Sequence, residues 1–280
     1  MTHFSKGSAS GRGARSNRDG RFERFAHEAA DDDWDLPMGQ EFEMRDRTSV
    51  TPDTAKTVIA RNSSPDVPFD QSINPYRGCE HGCVYCFARP RHAYLGLSPG
   101  LDFETRLFAK FDAVELLTNE LAKRNYQCRT LQLGANTDPY QPVERRLRIT
   151  RGILEVLGQA RHPVSINTKS DLVCRDLDLL APMAADNVAA IAVSVTTLAL
   201  ALARRMEPRA PTPQKRLDAA RRLTDAGVPV AVLAAPMIPA LNDHELQPIL
   251  EAARDSGATG AGYVLLRLPH ELGGLFEEWL

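Results

Sequence analysis

The sequence predicts an α/β protein, a partial (β/α)6 TIM-like barrel in which parallel strands alternate with helices. Strand–helix units recur at about thirty residues after position 130, which is the length of one βαβ unit. The strands are apolar nearly throughout, as is typical of a parallel sheet covered by helices. The chain has 280 residues, of which 43% are hydrophobic, enough for one domain with one large core.

Six strands are expected along the chain, at 72–76, 130–134, 164–168, 189–195, 228–235 and 262–268. After the second strand, Thr150 is suited to cap a helix that places Ile153, Leu154 and Leu157 on one face. Thr212 similarly precedes a proline at the first position of a later helix. In folds of this kind the functional site lies at the carboxyl ends of the strands.

Composition divides the chain into four parts. Residues 1–35 are rich in Gly, Ser, Arg and Asp and poor in apolar residues, so we expect a disordered tail. Residues 36–70 contain scattered prolines and are expected to form an extended lead-in along the barrel edge. The barrel should occupy residues 71–268. Residues 269–280 begin a C-terminal helical extension, which raises the question of a truncated chain.

The overall charge and hydropathy exclude some classes of protein. The formal net charge is −2 at pH 7, so the total field points neither to nucleic acid nor to a membrane surface. No apolar run approaches the length of a membrane span, and the N-terminus lacks the apolar core of a signal peptide. We therefore expect a cytoplasmic protein, in which clustered thiols serve chemistry rather than cross-linking.

Three of the five cysteines, Cys79, Cys83 and Cys86, fall within eight residues in the spacing C-x3-C-x2-C. Such a cluster indicates a metal or iron–sulfur site. Three thiolates can hold three corners of a cubane [4Fe–4S] cluster and leave the fourth iron an open position. A structural zinc site is an alternative, with His81 as the fourth ligand available inside the loop. A disulfide is another, although nothing else marks the chain as secreted.

With Tyr85 before the last cysteine, this motif resembles that of the radical S-adenosylmethionine (SAM) superfamily. The resemblance implies a six-stranded partial barrel, a [4Fe–4S] cluster on the three cysteines, and SAM bound to the open iron. It implies an enzyme that cleaves SAM reductively and uses the 5′-deoxyadenosyl radical to abstract hydrogen from a substrate. The electron would come from a low-potential donor such as flavodoxin or ferredoxin.

The segment after the second strand, residues 137–144, reads TDPYQPVE and resembles the spore photoproduct lyase-like branch of that superfamily. Further matches to this branch follow the later strands: Lys169, Ser194, Glu207-Pro208 and Arg216-Leu217. The resemblance covers about residues 70 to 268. It implies cofactor-binding roles for Tyr85, Asn136, Thr137, Asp138, Lys169 and Ser194.

Within that set, the resemblance implies that Ser194 contacts the SAM ribose, Lys169 approaches the SAM carboxylate and the backbone at Tyr85 meets the adenine edge. The three residues at 136–138 would bind the methionine end of SAM or the substrate. Local alternatives exist for each side chain. Thr137 and Asp138 can cap a turn, the lysine can be solvated, and the serine can bond nearby backbone.

One departure from the branch concerns hydrogen return to the product. Photoproduct lyases carry a cysteine in the segment after the second strand, whereas residues 134–136 here read GAN. Cys128 precedes that strand, and Cys174 follows the third strand and could face the site or pack as a small hydrophobe. Three functions remain open: a radical SAM enzyme of unidentified substrate, a DNA or RNA photoproduct lyase, and a non-catalytic zinc or iron–sulfur module.

A nucleic acid or nucleotide-containing substrate is suggested by the local charge. Arginines cluster after the second and fourth strands, where guanidinium groups could hold phosphates at the barrel mouth. Tyr140 and Phe87 offer rings on which a flipped base could stack. The alternative is that the arginines form a solvated helix face. The residues concerned are Arg145, Arg146, Arg148, Arg151, Arg204, Arg205 and Arg209.

Overall fold

The computed structural model describes residues 12–23, 48–65 and 67–280. These residues form ten strands: β1 (Ser49–Pro52), β2 (Ile59–Arg61), β3 (Gln71–Ile73), β4 (Tyr76–Arg77), β5 (Arg106–Ala109), β6 (Leu131–Leu133), β7 (Val164–Thr168), β8 (Ala189–Ser194), β9 (Val230–Met237) and β10 (Gly260–Leu265). They also form nine α-helices: α1 (Asp102–Thr105), α2 (Ala113–Leu121), α3 (Glu144–Leu147), α4 (Ile149–Gln159), α5 (Leu177–Ala185), α6 (Leu200–Met206), α7 (Pro213–Asp225), α8 (Leu246–Asp255) and α9 (Leu272–Trp279). Short 3-10 helices cover Arg89–Leu95, Asp171–Asp176 and Asp243–Glu245.

The larger sheet forms the predicted partial barrel. Its strand order is β10-β9-β8-β7-β6-β3-β2, and every pair is parallel except the antiparallel pair of β2 and β3. The six parallel strands correspond to the six expected from the sequence. Because β3 and β10 stand apart in this order, the barrel remains open. The prediction of an α/β partial barrel is confirmed.

The core lies between the parallel strands and the helices that cover them. Leu131 and Leu133 of β6 and Ile166 of β7 are fully buried, and α4 adds Leu154 and Leu157 to the same hydrophobic cluster. Each such side chain stabilises the fold by roughly 1.5–3 kcal/mol relative to an exposed one. This packing holds the strands in register, so their carboxyl ends form one fixed rim.

The prediction that Thr150 caps the helix after the second barrel strand is wrong. Helix α4 begins at Ile149, so Thr150 lies inside the first turn, and its hydroxyl donates to the carbonyl of Pro139 at 2.6 Å. The backbone N–H groups of Thr150 and Arg151 donate instead to the carboxylate of Glu144, at 3.1 and 3.3 Å. The buried Glu144 carboxylate therefore accepts from N–H groups that the first turn of the helix leaves without a backbone partner.

A smaller sheet leads into the cysteine motif. Its order is β1-β5-β4, and β4 pairs antiparallel with β5. Of the lead-in predicted for residues 36–70, β2 lies along the barrel edge beside β3, and residues 36–47 are outside the described ranges. Because β4 ends at Arg77, this sheet delivers the chain directly to the cysteine loop.

Two terminal segments pack beside that loop. The predicted disorder of residues 1–35 falls mainly on residues 1–11 and 24–35, which the structure does not describe, whereas residues 12–23 make defined contacts with the body of the protein. At the other end, Phe276 and Trp279 of α9 are buried. In the described part of the chain, no helix is long and apolar enough to cross a membrane.

Candidate functional site

The cysteine loop is a tight turn that depends on two glycines. Gly78 and Gly82 adopt φ angles of +77° and +68°, a region that side chains with a Cβ rarely occupy. The N–H of Cys79 donates to the carbonyl of Phe103 at 2.9 Å, and the N–H of Cys86 donates to the carbonyl of Cys83 at 3.2 Å. These bonds fix three cysteines within one short loop.

The thiols are shielded from solvent. Cys79 and Cys83 are only 6% and 5% exposed, and Cys86 is half-buried. Burial raises the pKa of the Cys83 thiol to about 12 and that of Cys79 well above its ordinary value. The charge of Cys86 adds to both rises, so the three thiols lie near one another. Binding a cluster would therefore release protons from this loop.

The three cysteines supply the number of ligands that a cubane cluster with one open iron requires. A cubane places each thiolate on a different iron, and the loop carries three free thiols. A tetrahedral zinc ion needs a fourth ligand, and the histidine of the loop, His81, lies 3.4 Å from the Asp138 carboxylate.

The segment after β6 holds the cysteine loop from one side. The Gln141 amide donates to the carbonyl of Gly78 at 3.1 Å and accepts from the N–H of Glu80 at 2.9 Å. The Thr137 hydroxyl donates to the carbonyl of Tyr76 at 2.7 Å. The Thr137 hydroxyl therefore bonds distant backbone and does not cap the turn before Pro139.

Asp138 joins the ends of β6 and β7. Its carboxylate accepts from the Thr168 hydroxyl at 2.7 Å and from the Lys169 N–H at 2.8 Å, and it lies 3.4 Å from Nε2 of His81. Although burial opposes ionisation, His81 and these donors lower the Asp138 pKa to about 2. The neighbouring Asn136 is half-buried, and its N–H donates to the Asn74 side chain at 3.0 Å.

Glu207 organises a buried group of charged and polar side chains. Its carboxylate, fully buried, accepts from Arg216, from the Tyr85 hydroxyl and from the Thr196 hydroxyl at 2.8 Å. The ammonium group of Lys169 lies 3.4 Å from the same carboxylate and 3.2 Å from the Tyr85 hydroxyl. Although burial opposes ionisation, Arg216 and Lys169 lower the Glu207 pKa.

Lys169 is not solvated, because its side chain is only 14% exposed. Burial opposes its charge, but Cys83, Tyr85 and Glu207 raise its pKa well above the ordinary value. Lys169 in turn lowers the pKa of Cys83. Ser194 ends β8 half-buried, and its carbonyl accepts from Arg216 at 3.2 Å. The lysine therefore stands as a fixed cation beside the cysteine loop.

The remaining cysteines and several arginines are engaged elsewhere. Cys174 lies in the hydrophobic core with its thiol 3.7 Å from the Ala219 carbonyl, and Cys128 is exposed. Arg151 pairs with Asp176 and Asp178 at 2.9 and 2.7 Å. The other six arginines of the predicted set are exposed, and of these Arg205 stacks on Trp279 and Arg209 lies 3.4 Å from Glu80: Arg145, Arg146, Arg148, Arg204, Arg205 and Arg209.

The family assignment rests on the sequence match together with this geometry. The chain matches the model of the Radical SAM superfamily over residues 73–253. The chain belongs to the radical SAM superfamily. Within this radical SAM protein, the matched span contains β6, β7, β8 and β9 whole and the last residue of β3, together with the cysteine loop and Lys169.

Two relatives extend beyond the region that they share with this chain. The uncharacterized protein Rv2578c of Mycobacterium tuberculosis is 39% identical over 216 residues, which cover 76% of this chain and 64% of that protein. The uncharacterized protein MJ0683 of Methanocaldococcus jannaschii is 30% identical over 173 residues, covering 62% of each chain. The chain thus spans less than two thirds of the length of either relative.

Solved structures of spore photoproduct lyase share the fold. One, complexed with dinucleoside spore photoproduct, has a TM-score of 0.61 and 17% identity, covering 84% of this chain and 67% of that chain. A variant with bound AdoMet and the same dinucleoside also has a TM-score of 0.61, at 16% identity, over 86% of this chain and 69% of that chain. At such identity the likeness establishes the architecture of this radical SAM protein.

Sequence reasoning did not identify the residue that organises the site. In the sequence, Glu207 and Arg216 stand out only as matches to the lyase-like branch, and no pattern points to Thr196. The sequence signal for Glu207 is its match, with Pro208, to the lyase-like branch; because Arg205 and Arg209 lie close to it in sequence, its charge does not stand out. Its partners lie on four separate segments, and the sequence does not show that these segments meet: Tyr85, Lys169, Thr196 and Arg216.

Proposed function

We propose that this chain is a radical SAM enzyme that holds a [4Fe–4S] cluster on Cys79, Cys83 and Cys86. The observation that carries the proposal is the group of buried, neighbouring thiols on one short loop beside the cation of Lys169. When bound, the cluster and SAM together supply reductive cleavage of SAM to a 5′-deoxyadenosyl radical that abstracts hydrogen from a substrate.

The residues around the loop have separate tasks in this proposal. Lys169, fixed by Glu207 and Tyr85, offers its charge to the SAM carboxylate. Ser194, at the end of β8, lies where its hydroxyl can meet the ribose. The side chain of Asn136 is assigned to the methionine end, whereas Thr137 and Asp138 act by holding the cysteine loop and the strand ends in place.

The electron donor is expected to be flavodoxin or ferredoxin, because the cluster needs a low-potential electron. A route for that electron is suggested by Cys86, the least buried of the three cysteines, and by Phe87, which follows it and is 55% exposed. A partner docking at this edge of the loop would approach the cluster without entering the barrel.

A nucleic acid or nucleotide-containing substrate is the second part of the proposal. It is supported by the exposed Arg145, Arg146 and Arg148, which follow the end of β6, and by the fold shared with an enzyme solved with a dinucleoside. Arg151, by contrast, is neutralised by acidic neighbours. A substrate-binding role is therefore assigned to Arg145, Arg146 and Arg148 at this strand end, and not to Arg151.

Repair by a photoproduct lyase mechanism is less well supported. No cysteine follows β6 in residues 134–136, and Cys174 packs in the core rather than beside the cysteine loop. A thiol that returns hydrogen to the product would have to come from elsewhere. The favoured function is accordingly hydrogen abstraction from an unidentified substrate.

Metal analysis of protein purified without oxygen tests the cluster. Reconstituted protein should hold about four irons and four sulfides, as three cysteines and one exchangeable ligand allow. Replacing Cys79, Cys83 or Cys86 by Ala should abolish this content. Cys128→Ala is the matched control and should retain it, since that thiol is exposed and distant in sequence. Stoichiometric zinc without iron would instead favour the non-catalytic zinc module.

A further inference from the structure

Residues 12–23, which we name the N-terminal strap, contact a buried carboxylate behind the cysteine loop. The backbone N–H groups of Gly13 and Ala14 donate to the two oxygens of Glu104, at 3.0 and 2.8 Å. The Glu104 side chain is fully buried. A buried carboxylate that accepts two backbone donors is a strong, specific anchor for an otherwise polar segment.

The same carboxylate is connected to the cysteine loop through Arg89. The fully buried guanidinium group of Arg89 pairs with Glu104, and its Nε donates to the carbonyl of Cys83 at 2.8 Å. Two further donations, to the carbonyls of Pro99 and Gly100 at 3.1 and 2.9 Å, fix its orientation. The strap is therefore linked to Cys83 by one continuous series of buried polar contacts.

Backbone packing joins the strap to the loop a second time. A Cβ atom added to Gly13 would lie 1.7 Å from the carbonyl oxygen of Gly82, and one added to Gly82 would lie 2.7 Å from Oε2 of Glu104. Gly82 lies between Cys79 and Cys83. The strap thus presses directly on the backbone between two of the three cysteines, at a position that admits no side chain.

The other end of the strap is tied to α9, which also touches the loop. The Ser16 hydroxyl donates to the Glu278 carboxylate at 2.7 Å, and the Arg21 N–H donates to the Glu271 carboxylate at 2.8 Å. On the opposite side of α9, Phe276 and Trp279 pack in one cluster with Cys83, Val84 and Tyr85. The strap and α9 therefore enclose the loop from outside.

The contacts between the strap and the loop run through backbone atoms and two buried side chains. Gly13 packs against the carbonyl of Gly82, Glu104 accepts from Gly13 and Ala14, and Arg89 donates to the carbonyl of Cys83. None of these contacts uses a cysteine thiol. We propose that Glu104 is a positioning residue for the iron–sulfur cluster, which it serves by joining the strap to Arg89 and so holding the backbone of Gly82 and Cys83.

This inference rests on the proposed cluster, and its physical basis is preorganisation. Ligands held by packing and outer hydrogen bonds keep a metal group in one geometry, and loss of such support weakens metal binding. Two variants remove the support from opposite sides of the contact: Glu104→Gln from the body and Gly13→Ala from the strap. Because Gly13 lies near the N-terminus and outside the barrel, the second variant can release the strap while the core still folds.

Two matched controls separate positioning from general instability. Gly260→Ala adds the same methyl group on β10, at an ordinary contact distance of 3.5 Å from the Cβ of Ala231. Ile153→Val removes a methylene from a fully buried position on α4, in a core cluster that does not include the cysteines of the loop, and lowers stability. The measurements are the rate of iron loss to a chelator, the electron paramagnetic resonance spectrum of the reduced cluster, and hydrogen exchange of residues 82–86 in the protein without cluster.

We expect both strap variants to lose iron about tenfold faster than the unchanged protein, the equivalent of ~1.4 kcal/mol. They should also broaden the resonance spectrum and speed exchange at residues 82–86, whereas both controls should match the unchanged protein. Iron loss and exchange unaffected in the strap variants, or raised equally by Ile153→Val, would overturn the positioning role. An unchanged protein that takes up no cluster would instead defeat the proposed function, and the positioning role with it.

Discussion

Replacing Glu207 by Gln should destabilise the fold more than any surface charge change. Glu207 and Arg216 are both essentially buried, and a neutral amide leaves the guanidinium group without its counter-charge. Removing one partner of a buried ion pair costs about 3–5 kcal/mol. Arg216 keeps two carbonyl acceptors, Pro211 at 2.8 Å and Ser194 at 3.2 Å, so the lower end, about 3 kcal/mol, is expected.

Urea denaturation of the protein without cluster measures this loss. The midpoint should fall with little change in slope, and the melting temperature should fall by roughly 6 °C or more. Glu155→Gln is the matched control, because Glu155 pairs with Arg151 at 3.1 Å while 48% exposed, and it should cost less than about 1 kcal/mol. Equal, small losses for both variants would refute a buried charge network at the barrel mouth.

Further expectations concern the cofactor, acid stability and the substrate. Ser194→Ala should weaken SAM binding in calorimetry by roughly 0.5–1.5 kcal/mol, and Lys169→Ala by roughly 1.5–3 kcal/mol, because the lysine bond is charge-assisted; unchanged affinities would remove both roles. The Asp138 pKa of about 2 lies below the ordinary 3.8, so its stabilisation is complete above pH 3.8 and is lost as pH falls towards 2. Asp138→Asn should therefore cost about 2 kcal/mol at pH 7 and flatten stability over that acid range, as unfolding titrations would show. If nucleic acid binds, Arg145→Ala with Arg146→Ala should reduce the slope of log affinity against log salt by about two; absence of any binding at low salt would redirect the search to other substrates.

The barrel and the cysteine loop could be predicted because their signals are local. Apolar runs separated by helix patterns indicate parallel strands, and their carboxyl ends must share one rim. That reasoning placed Lys169, which follows β7, and Ser194, which ends β8, at the same edge of the sheet. The structure has them there. Their roles with SAM remain predictions.

The residues that support the site could not be predicted because their partners are distant in the chain. Glu104 lies 91 positions from Gly13, and no periodic pattern links them. The composition of the strap predicts disorder, because a segment with few apolar residues can bury little apolar surface. Its order in residues 12–23 comes from hydrogen bonds to one buried carboxylate and from contacts with α9. Composition alone does not reveal hydrogen bonds and contacts of this kind.

Thr137 and Asp138 lie in a segment that resembles a SAM-binding region and that also bonds other parts of this protein. The sequence 137–144 was noted for its resemblance to a SAM-binding region, yet most of its polar side chains bond the cysteine loop or the end of β7. The roles of this segment with a cofactor remain predictions.

The central claim is reductive cleavage of SAM at the cysteine loop, and chromatographic detection of 5′-deoxyadenosine tests it most directly. Cluster-loaded protein given SAM and a strong reductant should release 5′-deoxyadenosine and methionine slowly, even without substrate. Cys83→Ala should release none, whereas Cys174→Ala, which alters a thiol packed in the core, should behave as the unchanged protein. A cluster-loaded, reduced protein that binds SAM but forms no 5′-deoxyadenosine would contradict the account.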